Sequence, residues 1–230
     1  MMPNIVALIP MRHHSERVPG KNYRSFAGLP LYHYIIRSLL ACQIVSEIVI
    51  DTDSPVIMQD AKQHFPQVQL IERPKHLRSA TIPTNDVLLY DVTQKAADYY
   101  LQTHSTNPLL RMETITEAIQ KFIDNYPLHD SLFSVTKLQT RLWDNQLRPI
   151  NHEPKILLRT QDLSPVYEEN SCIYLFTRST LETYHNRIGE RPLTFEIDRI
   201  EAWDIDEELD FRVGELLYLE QQKNLHGGQI

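Results

Sequence analysis

Apolar positions along the first two thirds of this chain switch repeatedly between short continuous runs and a three-to-four-residue spacing. The runs, bounded by polar or turn residues, predict strands at Ile5–Pro10, Glu47–Asp53, Gln69–Arg73, Asp98–His104 and Ser131–Thr136. Between them, Pro30–Ala41, Pro55–His64, Asn85–Gln94 and Thr114–Asp124 carry apolar residues along one helical face. Asn85 and Thr114 stand where helix caps belong. After about residue 137 the pattern loosens into an Arg/Trp/Pro-rich stretch, TRLWDNQLRPINHEP. Strands at Cys172–Phe176 and Leu193–Ile197 follow, then a closing amphipathic helix over about Glu208–Gln222 and a frayed tail, Leu225–Ile230. Neither an internal repeat nor a low-complexity segment interrupts the order.

Alternating strand and helix implies right-handed crossovers, and so an α/β fold with a mostly parallel sheet and helices on both faces. Ligands of such sheets bind beyond the carboxyl ends of the strands. Here those ends carry Arg12–Asn22, Asp51-Thr52-Asp53, Arg73-Pro74 and the stretch from Thr103 to Asn107. Ordinary loop polarity does not account for cations at two ends and carboxylates at another. The pattern predicts one composite site.

The first of these ends is the most informative. In IVALIPMRHHSERVPGKN a buried strand runs directly into Arg12, Ser15, Arg17, Gly20, Lys21 and Asn22. Arg can hold phosphate oxygens with two parallel donors, and Lys adds a mobile point charge. Pro19 fixes one φ and Gly20 frees the next, so the chain can turn back around an anion. The spacing is not that of a Walker loop, because Ser15 occupies the place of its first glycine. A solvated basic loop would have similar composition; the order of residues favours a polyphosphate site.

A carboxylate cluster, EIDRIEAWDIDEELD, lies near the other end. Asp204 and Asp206 flank Ile205, and in extended backbone both carboxylates face the same way. Such a pair suits Mg²⁺, which takes carboxylates together with substrate phosphates. Glu207 and Glu208 read as the acidic first turn of the last helix. An acidic cap alone would also explain the run, and DxD by itself is a weak signal.

The 230 residues suit one domain with a modest excursion. A net charge of -7 argues against a general nucleic-acid binder, and no apolar run reaches membrane-spanning length. Cys42 and Cys172 sit in apolar surroundings and read as reduced core residues. With no signal-like start, the expected location is cytoplasmic. The adjacent His13 and His14 read as loop donors or surface residues.

Five collinear segments resemble one family, the CMP-sugar synthetases acting on acidic keto-sugars (acylneuraminate cytidylyltransferases). LIPMRHHSERVPGKN is similar to the family's amino-terminal signature, and IVIDTDS to its second strand. THSTNPLL resembles a segment usually written QPTSPLR. RTQDLSPVYEENSCIYLF resembles RxQD…ENGxIY, and WDIDEELDF carries the DID motif. The resemblance implies a Rossmann-like nucleotidyltransferase fold and transfer of CMP from CTP to a keto-sugar acid, with Mg²⁺ as cofactor and release of pyrophosphate. It further implies a single cytidylyltransferase domain over residues 1–230. The stretch from about 140 to 200 would partly form an excursion for dimerisation and sugar binding, giving a homodimer.

By the same resemblance, Arg12, Ser15 and Lys21 would meet the triphosphate, Asn22 and Arg73 the nucleoside. Asp204 and Asp206 would hold the metal, leaving Arg12, Lys21 and Asp206 as the catalytic set. His104, Arg159 and Gln161 would meet the sugar. The chain departs from the pattern at His13, His14 and Glu16, where small residues and Lys are usual. His104 replaces Gln, Asn107 a Ser, and Ser171 the Gly of ENG. A catalytically silent nucleotide-binding module of this fold, or an enzyme acting on a sugar phosphate, are the alternatives.

Overall fold

The central strand, β1 (Ile5–Met11), is buried along nearly its whole length and divides two apolar cores. In the computed structural model, which describes residues 3–226 with side chains through Asn224, Ile5, Ala7, Ile9 and Met11 enter one core. Val6 and Leu8 enter the other. Period-two alternation with apolar residues on both sides marks a strand covered on both faces.

The chain continues through a small hairpin, β2 (Ser25–Phe26) and β3 (Leu29–Pro30), to α1 (Tyr32–Ala41), β4 (Glu47–Thr52), α2 (Pro55–His64) and β5 (Gln69–Glu72). Then come α3 (Thr84–Gln94), β6 (Tyr99–Gln102), α4 (Met112–Asn125), β7 (Ser131–Leu138), β8 (Val166–Phe176), α5 (Arg178–Tyr184), β9 (Pro192–Glu196) and α6 (Glu208–His226). Seven strands form one sheet in the order β5-β4-β1-β6-β8-β7-β9. β1, β4, β5 and β6 are parallel, β8 runs antiparallel to β6 and β7, and β9 is parallel to β7. α1, α2 and α4 cover the first core, and α3 and α5 the second. The arrangement is the expected Rossmann-like, mostly parallel sheet.

Several local expectations shift. Asn85 and Thr114 lie inside their helices, which start at Thr84 and Met112 after Pro83 and Arg111. The strand expected over Asp98–His104 is shorter, because the chain leaves the ladder at Gln102. β8 is eleven residues long, its outer half polar and exposed at Tyr167, Glu168 and Glu169. A register shift between Phe133 and Val135 marks a bulge against β8, with Ser171 at φ 58. That left-handed backbone favours glycine, the residue usual at the corresponding family position.

The irregular segment between β7 and β8, residues 139–165, is tied together by Asn151. Its Nδ2 donates to the carbonyls of Thr140 (2.7 Å) and Ser164 (2.9 Å), and its Oδ1 accepts from the Leu142 amide (3.0 Å). Trp143, Leu147, Ile150, Ile156 and Leu157 nevertheless remain exposed there. Of the foreseen tail, the part beyond His226 lies outside the described residues. Among the described residues, no helix is long and apolar enough to cross a membrane. Cys42 and Cys172 are free and buried.

A third apolar cluster joins distant parts of the chain: Val18, Phe26, Leu31 and Tyr34 with Ile205 and Phe211. Burying each aliphatic side chain there contributes about 1.5–3 kcal/mol. Arg24 reinforces the seam, donating to both oxygens of Glu208 (2.6 and 2.8 Å) while lying 4.3 Å from the Phe211 ring centre.

Under the sheet's carboxyl edge, three ionisable side chains are sealed from water: Arg73, Asp51 and Asp91. Arg73 donates to the Asp51 carboxylate and carbonyl. Neither Asp91 oxygen, nor Oδ2 of Asp51, receives a hydrogen bond from an N–H or hydroxyl among the described residues. A proton retained by Asp91 and donated to Asp51 supplies one of the missing hydrogen bonds and leaves one negative charge opposite the guanidinium. Burial first, then the Asp51 charge, pushes the Asp91 carboxyl up to about 9.

A carboxyl raised in the folded state above its unfolded value near 3.9 stabilises fully only below that value, and its contribution declines as pH rises toward about 9. The thermal midpoint of the protein should therefore fall between neutral and alkaline pH. Asp91→Asn, which keeps a donor without the charge, should flatten that fall when midpoints are measured by calorimetry. An unchanged slope would place the titrating group elsewhere.

Candidate active site

β1 delivers the chain into a loop whose shape is set by a few backbone constraints. Gly20 sits at φ 67, and a Cβ there would lie 2.9 Å from the Tyr23 ring. The Gly20 carbonyl accepts from the amides of Tyr23 (3.0 Å) and Arg24 (2.9 Å), closing a single turn over Lys21–Tyr23. Val18 plugs into the third cluster, which leaves the polar residues around it facing a cleft. The neighbouring strand ends brace the loop. Asp53 Oδ1 accepts from the His13 amide (2.7 Å), and Ser54 Oγ lies 2.8 Å from His13 Nδ1.

The cleft encloses ≈ 590 Å³ and is lined by Arg12, His14, Ser15, Glu16, Arg17, Lys21, Asn22, Arg73, His104, Ser105 and Thr106, with residues of the 80–87 segment opposite. Six of the residues foreseen from the sequence thus meet here: Arg12, Ser15, Lys21, Asn22, Arg73 and His104. Their present partners differ from the expected ones. Arg12 donates to the carbonyls of Ala80 (2.8 Å) and Ile82 (2.8 Å), so it straps the 80–82 backbone to the loop. Asn22 donates to the Arg12 carbonyl (2.8 Å) and accepts from Ser105 Oγ (2.8 Å). Arg73 is committed to Asp51 from within.

Asp204 and Asp206 line a second hollow of ≈ 430 Å³, together with Thr136, Glu168, Glu169, Asn170, Ser171, Arg199 and Asp210. Asp206 links the two spaces. Its Oδ1 accepts from Arg17 Nη2 (2.8 Å) and lies 3.5 Å from Lys21 Nζ, which also donates to the Ile205 carbonyl (2.5 Å). Ile205 is fully buried, and the Asp210 carboxylate accepts from the amides of Asp206 (3.1 Å) and Glu207 (2.8 Å). These contacts fix the backbone that carries both acids. Arg17 enters the site as the direct ion partner of Asp206, a role the loop's composition did not reveal.

Burial, followed by repulsion from Asp206, raises the Asp204 carboxyl. Its Oδ1 is buried without a hydrogen-bond partner. An orphaned carboxylate oxygen beside a second carboxylate is a donor set that fits a hard divalent cation such as Mg²⁺.

His104 lies at the inner wall with its Nε2 buried and unpartnered. Burial, then the positive charges of Arg187 and Lys21, push its imidazole down to about 3. It is a neutral hydrogen-bonding group near pH 7, unsuited to take up a proton. Arg187, absent from the sequence reading, donates to Gln102 (2.5 Å) and stacks 3.6 Å from the Tyr174 ring centre. Arg159 and Gln161 line neither hollow of their own chain. Arg159 is exposed and grips Asp162 (2.7 and 3.1 Å), while the Gln161 carbonyl accepts from Gln139.

The site can therefore bind a polyanion between Arg17 and Lys21, with a carboxylate pair at its border. Comparison with known proteins gives the family. The sequence profile of the cytidylyltransferase family matches residues 6–226. A CMP-N,N'-diacetyllegionaminic acid synthase of Legionella pneumophila is 30% identical over 93% of this chain and 95% of its own length. A pseudaminic acid cytidylyltransferase of Campylobacter jejuni is 24% identical over 93% and 95%. Among solved structures, a CMP:2-keto-3-deoxy-manno-octonic acid synthetase complexed with CTP superposes with a TM-score of 0.72 at 16% identity, covering 95% of this chain and 99% of that one, a likeness of fold. The chain belongs to the cytidylyltransferase family, enzymes of the nucleotidyltransferase class.

Proposed function

We propose that this enzyme transfers CMP from CTP to the anomeric hydroxyl of a nonulosonic or related keto-sugar acid, releasing pyrophosphate. The observation that carries the reading is the convergence of Arg17 and Lys21 on Asp206, which joins the cationic loop to the carboxylate pair. The first cleft takes the nucleotide, with Arg17 and Lys21 offered to its phosphates and Asn22 and Ser105 at the nucleoside end. The second hollow takes the acceptor, where Thr136, Asn170 and Arg199 supply donors to a polyhydroxylated acid. The acceptor oxygen attacks the α-phosphorus, the bond from it to the α–β bridging oxygen breaks, pyrophosphate leaves with that oxygen, and the hydroxyl proton passes to solvent water. Positioning and charge neutralisation supply most of such catalysis. Asp204 and Asp206 would hold Mg²⁺, which when bound supplies positive charge to the departing pyrophosphate. Use of CTP suits a cytoplasmic enzyme.

Arg159 and Gln161 fit the same reading if they serve the site of a second copy. Leu147, Ile150, Ile156 and Leu157 of the same 139–165 segment are exposed and would be covered by such a contact.

A pyrophosphate-release assay with CTP, Mg²⁺ and a panel of keto-sugar acids should detect turnover with at least one acceptor. Asp206→Ala should lower that rate roughly a hundredfold or more. Its side chain is 47% exposed and solvent screens both of its ion pairs, so their loss costs at most about 1 kcal/mol of stability. Release from no acceptor by folded protein, or a fully active Asp206→Ala, would overturn the reading.

His104→Gln should retain most activity, and the wild-type pH–rate profile should lack a limb abolished by that change. Loss of an acid limb specifically in His104→Gln would instead make His104 a titrating group.

For the dimer, Arg159→Ala and Lys21→Ala should each be inactive, yet a co-refolded mixture should recover activity through hybrid dimers. A mixture no better than its components would return Arg159 to its own chain's surface.

A further inference from the structure

Away from both hollows, α1 and α2 meet through a group of donors that cytidylyl transfer does not use. His33 lies on the first turn of α1 and is 3% exposed. Asp60 and His64 lie one turn apart on α2, so both project from the same face of that helix. His33 Nε2 is 2.6 Å from Asp60 Oδ2, and His64 Nδ1 is 3.0 Å from Asp60 Oδ1. One ligand atom from each residue lies within 4.8 Å of the other two. We propose that His33, Asp60 and His64 form a binding site for a divalent transition-metal ion of the zinc class, bridging α1 to α2.

The chemistry of the donors selects the ion. Two imidazoles with one carboxylate suit Zn²⁺, Co²⁺ or Ni²⁺, whereas Mg²⁺ takes oxygen donors. This separates the site from the all-oxygen pair at Asp204 and Asp206. In a tetrahedral zinc site with bonds of about 2.0–2.1 Å, neighbouring ligand atoms lie about 3.3 Å apart. The two histidines meet different oxygens of Asp60, at 2.6 and 3.0 Å, and all three ligand atoms lie within 4.8 Å of one another, so side-chain shifts of roughly 1 Å or less bring them to that spacing.

The surroundings favour the same assignment. Tyr32 and Phe65 pack edge-on against the His33 ring, each with centroids 4.7 Å away, and form an apolar wall behind the site. The Tyr32 hydroxyl donates to Asp60, the kind of second-layer contact that orients a ligating carboxylate. His64 is half exposed, which leaves the outer side open for ion entry and for water as a fourth ligand. The proposal is independent of the acceptor and nucleotide assigned to the clefts.

The site also has a route to the phosphate loop. α2 begins at Ser54, whose hydroxyl caps the helix at the Ile57 amide and lies 2.8 Å from His13 Nδ1. α1 begins just after the turn and hairpin that follow Lys21. An ion joining the two helices would brace both walls on which the loop rests.

The test uses untagged full-length protein, stripped of metal and titrated with Zn²⁺, then in parallel with Co²⁺. Wild type should bind one equivalent tightly by calorimetry, show the intense visible bands of tetrahedral Co²⁺, and gain thermal stability on zinc addition. His64→Ala removes an exposed ligand, so it should fold normally in the metal-free state. It should bind at least about tenfold more weakly and lose the Co²⁺ bands. Asp206→Asn should keep all three signals. Absence of a tetrahedral Co²⁺ spectrum in wild type, or its persistence in His64→Ala, would overturn the proposal and leave a hydrogen-bonded helix staple. Loss of the spectrum in Asp206→Asn would move the ion to the catalytic cleft.

Discussion

The burial of Ile205 against Val18, Phe26 and Phe211 is the constraint on which the site depends. Charges alone would not bring residue 206 to residues 17 and 21, because the Arg17–Asp206 and Lys21–Asp206 pairs are partly solvated and each contributes little. The apolar cluster supplies what they lack: directional certainty from close packing. With Ile205 locked inward, its two neighbours must present their carboxylates along the rim. With Val18 locked inward, Arg17 and Lys21 must stand over the cleft. The electrostatic site is thus a by-product of apolar residues placed between polar ones, at both ends of the chain.

Burial also sorts the charged groups by task. Arg73 and Asp51 are sealed and paired, and so give the first cleft a rigid floor with little charge to spare. Arg12 spends two of its donors on backbone carbonyls and acts first as a strap. Arg17 and Lys21, by contrast, hold partners that a polyphosphate could replace. The same sequence motif therefore contains cations tied into the scaffold and cations left facing the cleft. Desolvation, not residue type, separates them.

This division explains what could be read from the sequence. β1, β4, α1 and α2 announce themselves because they are apolar runs or faces whose period matches their structure. The cationic loop and the acid pair are local motifs, and their residues meet through Asp206. The outer half of β8 escaped because YEEN is exposed and polar, and its ladder is set by partners in β7. Pro83 and Arg111 precede helices without offering a capping side chain, so Asn85 and Thr114 were misleading signals. Asp91 was legible in principle, as a lone acid on the apolar face of LLYDV. Arg187 carried no such mark, since its environment comes from Gln102 and Tyr174 far away in sequence. Arg159 matched a family motif, but in this chain it is exposed and paired with Asp162, outside both hollows.

The seam between residues 17–34 and 205–211 has a further consequence in time. Contacts this distant in sequence close almost the whole chain into one loop, and such contacts form late because the closure entropy is offset only when the surrounding structure is in place. During synthesis, β1 and its loop emerge long before Asp206 exists to face them. A nascent chain can build most of the sheet yet hold its cations without a counterion and its cleft without a rim. Competence for catalysis would then arrive abruptly, with the docking of the last helix, and would serve as a sign that the fold is complete.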